Sequence, residues 1–235
     1  MKLFDKIGKG IRNRLGKSTF LKGIVLLAGG TAVAQITAIA VSPIISRLFT
    51  PEDIGVLSVY TSMLSMLASS ATMKFDMAIP IADDDESAIN IMGLSIASTL
   101  VISSIVLFLT LSSGDTFVSI LDAGPLRPYL WMLSLGVIVI GLYTTFLHWG
   151  MRKRDYRSIT KTKVNQGFAK ALVQVGSGVL GFGPVGLIIG EIFGQALGIS
   201  TLAKRLFASE TQLIKEINVH RSEERRVGKE CIAVC

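Results

Sequence analysis

The chain has 235 residues, half of them hydrophobic, with 17% charged and a mean hydropathy of +0.56. Soluble domains carry about 25% charged residues and have no use for repeated uncharged runs of bilayer length. The formal charge of +7 does not point to nucleic acid, because the basic residues flank the apolar runs, where they suit anionic headgroups and set orientation. Two cysteines, Cys231 and Cys235, and two distant histidines, His148 and His220, fit neither a disulfide scaffold nor a zinc cluster.

Residues 1–22 form a basic leader in which Leu3, Phe4, Ile7, Ile11 and Leu15 recur at helical spacing among lysines and arginines. Two readings stay open: a short helix in the headgroup plane, or an unstructured leader that only sets topology. The apolar run that follows lacks a clean cleavage site, so it reads as a retained span rather than a signal peptide. Residues 24–46 carry no charge and exceed the roughly 20 residues a span requires. Pro43 lies near the outer end, where a kink or an early stop is tolerable. Thr50, Pro51, Glu52 and Asp53 have the chemistry of a helix start: a cap, a first-turn proline and two acids at the positive end.

The second span is expected over about 54–73, followed by a charged return with Lys74, Asp76, Asp83, Asp84, Asp85 and Glu86. The acidic run reads as a solvated helix cap, since adjacency in sequence does not converge oxygens on a metal ion. The third span is expected over about 88–111 and the fourth over about 129–149. The fourth opens with Tyr129 and Trp131 and closes with His148 and Trp149, aromatics suited to the two interfaces. From 171 to 203 the only charge is Glu191, and Gly181, Phe182, Gly183 and Pro184 break the run. This division gives a fifth span over about 164–182 and a sixth over about 185–203, with the Lys170 stem reaching back toward the headgroups. A single tilted or re-entrant helix is the alternative.

The leader has seven basic residues and the segment 152–163 has six, against Arg47 alone after the first span and Arg127 alone after the third. That alternation places both termini in the cytoplasm with six crossings. The fold class is therefore an all-α polytopic membrane protein with a six-helix bundle over 23–205. Residues 206–220 are expected to begin a cytoplasmic loop. Gly186, Gly190, Gly194 and Gly198 fall on one helical stripe, which suits either close packing or sliding between helices.

Polar groups at bilayer depth belong inside the bundle or in a wet cavity. Gln35 lies in the middle of the first span. Gln166, Lys170 and Gln174 are spaced by four, as are Glu191 and Gln195. Lys170 and Glu191 suit each other as an ion pair, and the glutamines can be either helix–helix glue or cavity lining. Arg47, Lys74 and Lys170 are the candidate cations for a phosphate-bearing substrate, although Arg47 and Lys74 equally suit interfacial anchors. No nucleophile elbow, Walker A loop or metalloprotease helix occurs, so no enzyme and no cofactor is expected.

Several stretches resemble the polysaccharide or O-antigen flippases of the multidrug/oligosaccharidyl-lipid/polysaccharide exporter superfamily. They are LAGGTAVAQITAIAVSPIISRLFTPEDIGVLSVY at 27–60, KFDMAIPIADDDESAINIMGLSI at 74–96, LHWGMRKRDYRSITKTKVNQG at 147–167 and GPVGLIIGEIFGQALG at 183–198. The family's Arg-Tyr-Glu-like triplet reads Lys74, Phe75, Asp76 here, keeping the charge types and losing the aromatic hydroxyl. The resemblance, over about 20–205, implies one lobe of a two-lobed MATE-like exporter fold, its N-terminal six helices. It also implies movement of undecaprenyl-diphosphate-linked oligosaccharide across the bacterial inner membrane for O-antigen, capsule or exopolysaccharide synthesis. Asp76 joins the cavity candidates on that basis. The implied partners are the lipid-linked oligosaccharide, membrane lipids, a glycan polymerase and a chain-length regulator. Such a lobe is expected to be inactive alone.

RSEERRVGKEC at 221–231 resembles a translated sequencing adapter, so residues 221–235 are expected to be non-native. A drug or cation exporter of the same superfamily is the alternative within transport, disfavoured by the single acid in the span cores. A non-transporting membrane scaffold is the alternative outside it.

Overall fold

The computed structural model of the protein describes residues 19–112 and 124–214, and every regular element among them is helical. The leader before residue 19 and the tail 221–235 lie outside the described residues, as does most of the polar stretch after the third span. Six long helices follow in order: α1 Thr19–Leu48, α2 Pro51–Ala71, α3 Asp85–Ser112, α4 Trp131–Arg152, α5 Tyr156–Val179 and α6 Pro184–Ile214. Five are long and apolar enough to cross a membrane: α2, α3, α4, Val25–Leu48 of α1 and Pro184–Lys204 of α6. Hydrocarbon offers the backbone no partners, and a helix satisfies its own.

α5 is the sixth long helix, and it is not one of the five. Its 24 residues could cross, but Arg157, Lys161, Lys163 and Lys170 dilute its apolar character. It also begins before the expected 164. Asp155 caps it by accepting from the Ser158 N–H at 3.2 Å, so much of the basic segment 152–163 forms its first turns. At the other end of the chain, α6 continues to Ile214, past the 205 boundary expected for the bundle.

Other helix ends follow the sequence closely. Thr50 and Asp53 form a capping box, with Thr50 N–H to Asp53 at 2.9 Å and Asp53 N–H to Thr50 Oγ1 at 3.2 Å. Asp84 accepts from the Ser87 N–H at 2.6 Å and starts α3. Gly181 and Gly183 take φ of +73° and +58°, values glycine adopts without strain, and they turn the chain into Pro184. Pro43 does not stop α1, which runs on to Leu48.

α5 lies between α1 and α6, α3 packs on α4, and α4 also meets α6. The glycine stripe makes the α5–α6 seam: Gly186 faces Ser177, Gly190 faces Gln174, Gly194 faces Lys170 and Gly198 faces Gln166. Small residues also seat α1 on α5, with Gly30 against Thr160 and Gly167 against Ala34. These contacts let a charged helix sit between two apolar ones at close range.

Two apolar clusters fill the bundle. One joins Val56, Tyr60, Leu64, Val106, Leu126, Leu133 and Ile188; the other joins Ile79, Ile89, Met92, Phe146, Trp149, Ile159 and Leu202. Hydroxyls bond across the helices between them: Ser95 with Thr145 at 2.7 Å, Ser103 with the Ser134 carbonyl at 2.9 Å, and Tyr60 with the Met132 carbonyl at 3.1 Å. Outward faces are apolar too, with Ile39 of α1, Phe108 of α3 and Leu172 of α5 exposed. An apolar exterior suits lipid rather than water. Trp149, expected at an interface, lies in the last turn of α4 and faces the bundle. It is buried among Ile79, Ile159 and Leu202, with the Lys153 ammonium 5.2 Å from its ring centre.

Candidate functional site

A cleft of about 540 Å³ opens between α1, α5 and α6, with Ile54 and Leu57 of α2 contributing to its wall. Six of the nine candidate residues line it: Gln35 from α1, Gln166, Lys170 and Gln174 from α5, and Glu191 and Gln195 from α6. The spacing explains the convergence. Positions 166, 170 and 174 share one face of α5, positions 191 and 195 share one face of α6, and the glycine seam brings the two faces together.

The polar groups are partnered as well as gathered. Lys170 Nζ forms an ion pair with the Glu191 carboxylate. The Lys170 stem therefore does not run back to the headgroups as a free anchor. Its charge is met at depth, which offsets the desolvation of both groups. Gln166 Nε2 donates to Gln195 Oε1 at 3.3 Å, and Gln174 Nε2 donates to the Leu187 carbonyl at 3.1 Å. Gln174 is buried and acts as helix–helix glue, while Gln35 is exposed to the cleft.

Lys163, Thr31, Ser42 and Ser46 also line the cleft, and the sequence reading passed over them. Lys163 is one of the six basic residues of the segment 152–163. It stands three residues before Gln166 and seven before Lys170, so a helix starting at 156 puts it on the same stripe. With Lys163 and Lys170 against Glu191, the lining carries two cations and one anion.

The other three candidates lie elsewhere. Arg47 is exposed in the last turn of α1, one residue beyond Ser46. Lys74 is exposed at a left-handed turn, φ +63°. Asp76 is buried and used locally: it accepts from the Thr72 hydroxyl at 2.7 Å and lies 3.2 Å from His148 Nδ1, which is also 2.8 Å from the Thr144 carbonyl. Asp76 thus fastens the short helix Phe75–Ala78 to α4.

A second fastening lies beside it. Arg152 bonds Asp85 at 2.9 Å, the Ala82 carbonyl at 2.7 Å and the Ile79 carbonyl at 3.2 Å, and Lys153 bonds Asp85 at 2.8 Å. Asp85, a first-turn acid of α3 that is still 41% exposed, is therefore an ion-pair partner as well. Among the described residues no group of three His, Cys, Asp or Glu side chains could hold a metal ion.

No curated protein and no solved structure matches the chain. A family model described as polysaccharide biosynthesis protein matches residues 44–219. That match takes in α2 to α6 whole, with the end of α1, and covers well over half of the sequence. The chain therefore belongs to the polysaccharide biosynthesis protein family, as a multi-span membrane protein.

Proposed function

We propose that the chain is one lobe of a flippase that carries undecaprenyl-diphosphate-linked oligosaccharide across the bacterial inner membrane, and that the cleft is its share of the substrate pathway. The observation that carries this reading is the cleft itself. A charged helix, α5, and its two apolar neighbours α1 and α6 bring together a net positive, amide-rich wall, in a chain of a family named for polysaccharide biosynthesis. A diphosphate cannot enter hydrocarbon unaccompanied, and fixed cations lower that cost. Amides can serve sugar hydroxyls, being both donors and acceptors. The lobe moves its substrate without altering it, and a second lobe supplies the facing wall.

The test is delivery of the glycan repeat unit in a strain lacking the transporter, with the chain supplied as part of its full gene. Lys170→Ala is expected to cut delivery by about tenfold or more at normal protein abundance, the loss of one charge-assisted contact of roughly 1.5–3 kcal/mol. Arg47→Ala and Lys74→Ala, placed at helix ends, are expected to cost much less. Full delivery by the Lys170 variant would remove the cleft from the mechanism.

Topology gives an independent check. α5 is proposed as a sixth crossing, shielded by α1 and α6, with both termini cytoplasmic. Reporters placed within 113–123 are expected to read periplasmic, and reporters after Arg154 to read cytoplasmic. Signals of the reverse kind at both sites would invert the assignment.

A further inference from the structure

The α5–α6 ion pair is lopsided in its exposure. The Lys170 side chain is 41% exposed and the Glu191 side chain 16%. Both residues line the cleft, and the lysine is the more accessible of the two. Lys163, two turns along α5 and so about 10.5 Å away on the same stripe, also lines the cleft and makes no ion pair with another described residue. The pair cannot drift, because the glycine seam, the Gln166–Gln195 bond and the Gln174–Leu187 bond fix both backbones.

We propose that Glu191 is an internal competitor for anions: its carboxylate and an arriving phosphate contend for the same Lys170 ammonium. The inference rests on the reading of the cleft as the diphosphate-binding wall and adds a selection rule to it. A ligand with one negative charge gains little by replacing a carboxylate that is already held in place. A diphosphate brings more charge and more acceptor oxygens, can engage Lys163 and Lys170 together, and displaces the internal partner. Glu191 thereby costs the true substrate some affinity and rejects singly charged amphiphiles, which are abundant in a membrane. Specificity here comes from a built-in rival as much as from an attraction.

The experiment is calorimetric binding to the full chain in detergent, with geranyl diphosphate as the dianionic or higher probe and an aliphatic carboxylate of equal length as the monoanion. Glu191→Gln is expected to bind geranyl diphosphate about tenfold more tightly than the unaltered chain and to gain measurable binding of the carboxylate. The exchanged pair, Lys170→Glu with Glu191→Lys, keeps an ion pair in place but presents an acid to the cleft. It is expected to lose diphosphate binding while unfolding near the normal temperature. That separates competition from a purely structural role. Diphosphate binding by the unaltered chain that is unchanged or weakened in Glu191→Gln, or retained in the exchanged pair, would overturn the competitor and leave the proposed function standing. No diphosphate binding by any variant, the unaltered chain included, would overturn both.

Discussion

Gly194→Leu is expected to prise α6 from α5 and abolish transport. A Cβ at this position would lie 3.0 Å from Lys170 Cβ and 3.2 Å from the Gln166 carbonyl oxygen. Neither neighbour can retreat, since one is the root of a side chain and the other is backbone. A branched side chain must push the helices apart, and the ion pair and the Gln166–Gln195 bond lie on the same seam. Overpacking of a tight contact costs about 1–3 kcal/mol, and loss of the partly buried pair adds to it. Thermal unfolding in detergent is expected to fall sharply for this variant. Gly176→Leu is the control, because nothing lies within 4 Å of a Cβ there, and it is expected to unfold almost as the unaltered chain does. Equal stability of the two variants would mean that the glycine seam is not a close contact.

The second large effect is expected from Arg152→Ala. This guanidinium ties three acceptors to the end of α4: the Asp85 carboxylate and the carbonyls of Ile79 and Ala82. Its removal leaves two carbonyls without that donor and weakens the hold on Asp85, which Lys153 only partly replaces. A fully buried pair loses about 3–5 kcal/mol when broken. Here Asp85 is 41% exposed, so solvent screening brings the expectation to about 2 kcal/mol. Hydrogen exchange over 76–86 is expected to speed up while α5 and α6 keep their protection. Arg152→Lys is expected to recover part of the loss, since it keeps the charge without the planar fork. Asp83→Ala, at an exposed side chain, is expected to change nothing. Uniform loss of protection along the chain would show that Arg152 supports the whole bundle and not this segment.

The two variants fall on features of unequal visibility in the sequence. The glycine seam was legible because a repeat of four is a local signature, and so were the apolar runs, the Thr50–Asp53 box and the break at Gly181–Pro184. The cleft was partly legible for the same reason: polar residues at intervals of four must share a face, and depth argues against their facing lipid. What escaped depends on distance along the chain. Asp76 meets His148, and Asp85 meets Arg152, across some seventy residues that no spacing rule spans. The turns of α5 before residue 164 were not legible, because a dense run of positive charge carries no apolar periodicity. Asp155 at the cap and small residues on both neighbours allow those charges onto a helix, and Lys163 was lost to the cleft with that boundary. The packing of Trp149 against Ile79, Ile159 and Leu202 was equally out of reach, since its partners lie on other helices.

Among the described residues the main neighbour of α1 is α5, and only 6% of its apolar window is buried. One of its bonds to the bundle, from the Thr160 hydroxyl to the Leu26 carbonyl at 3.0 Å, joins residues 134 apart in sequence. Synthesis therefore imposes a wait. At about 5–20 residues per second, the ribosome needs roughly 7–27 s after making Leu26 before Thr160 exists. Throughout that interval α1, with Gln35 on it, waits in lipid for its main seat while α2, α3 and α4 are made. A nascent chain stalled anywhere short of α5 would leave α1 without that seat, and membrane proteases and chaperones would meet it in that form.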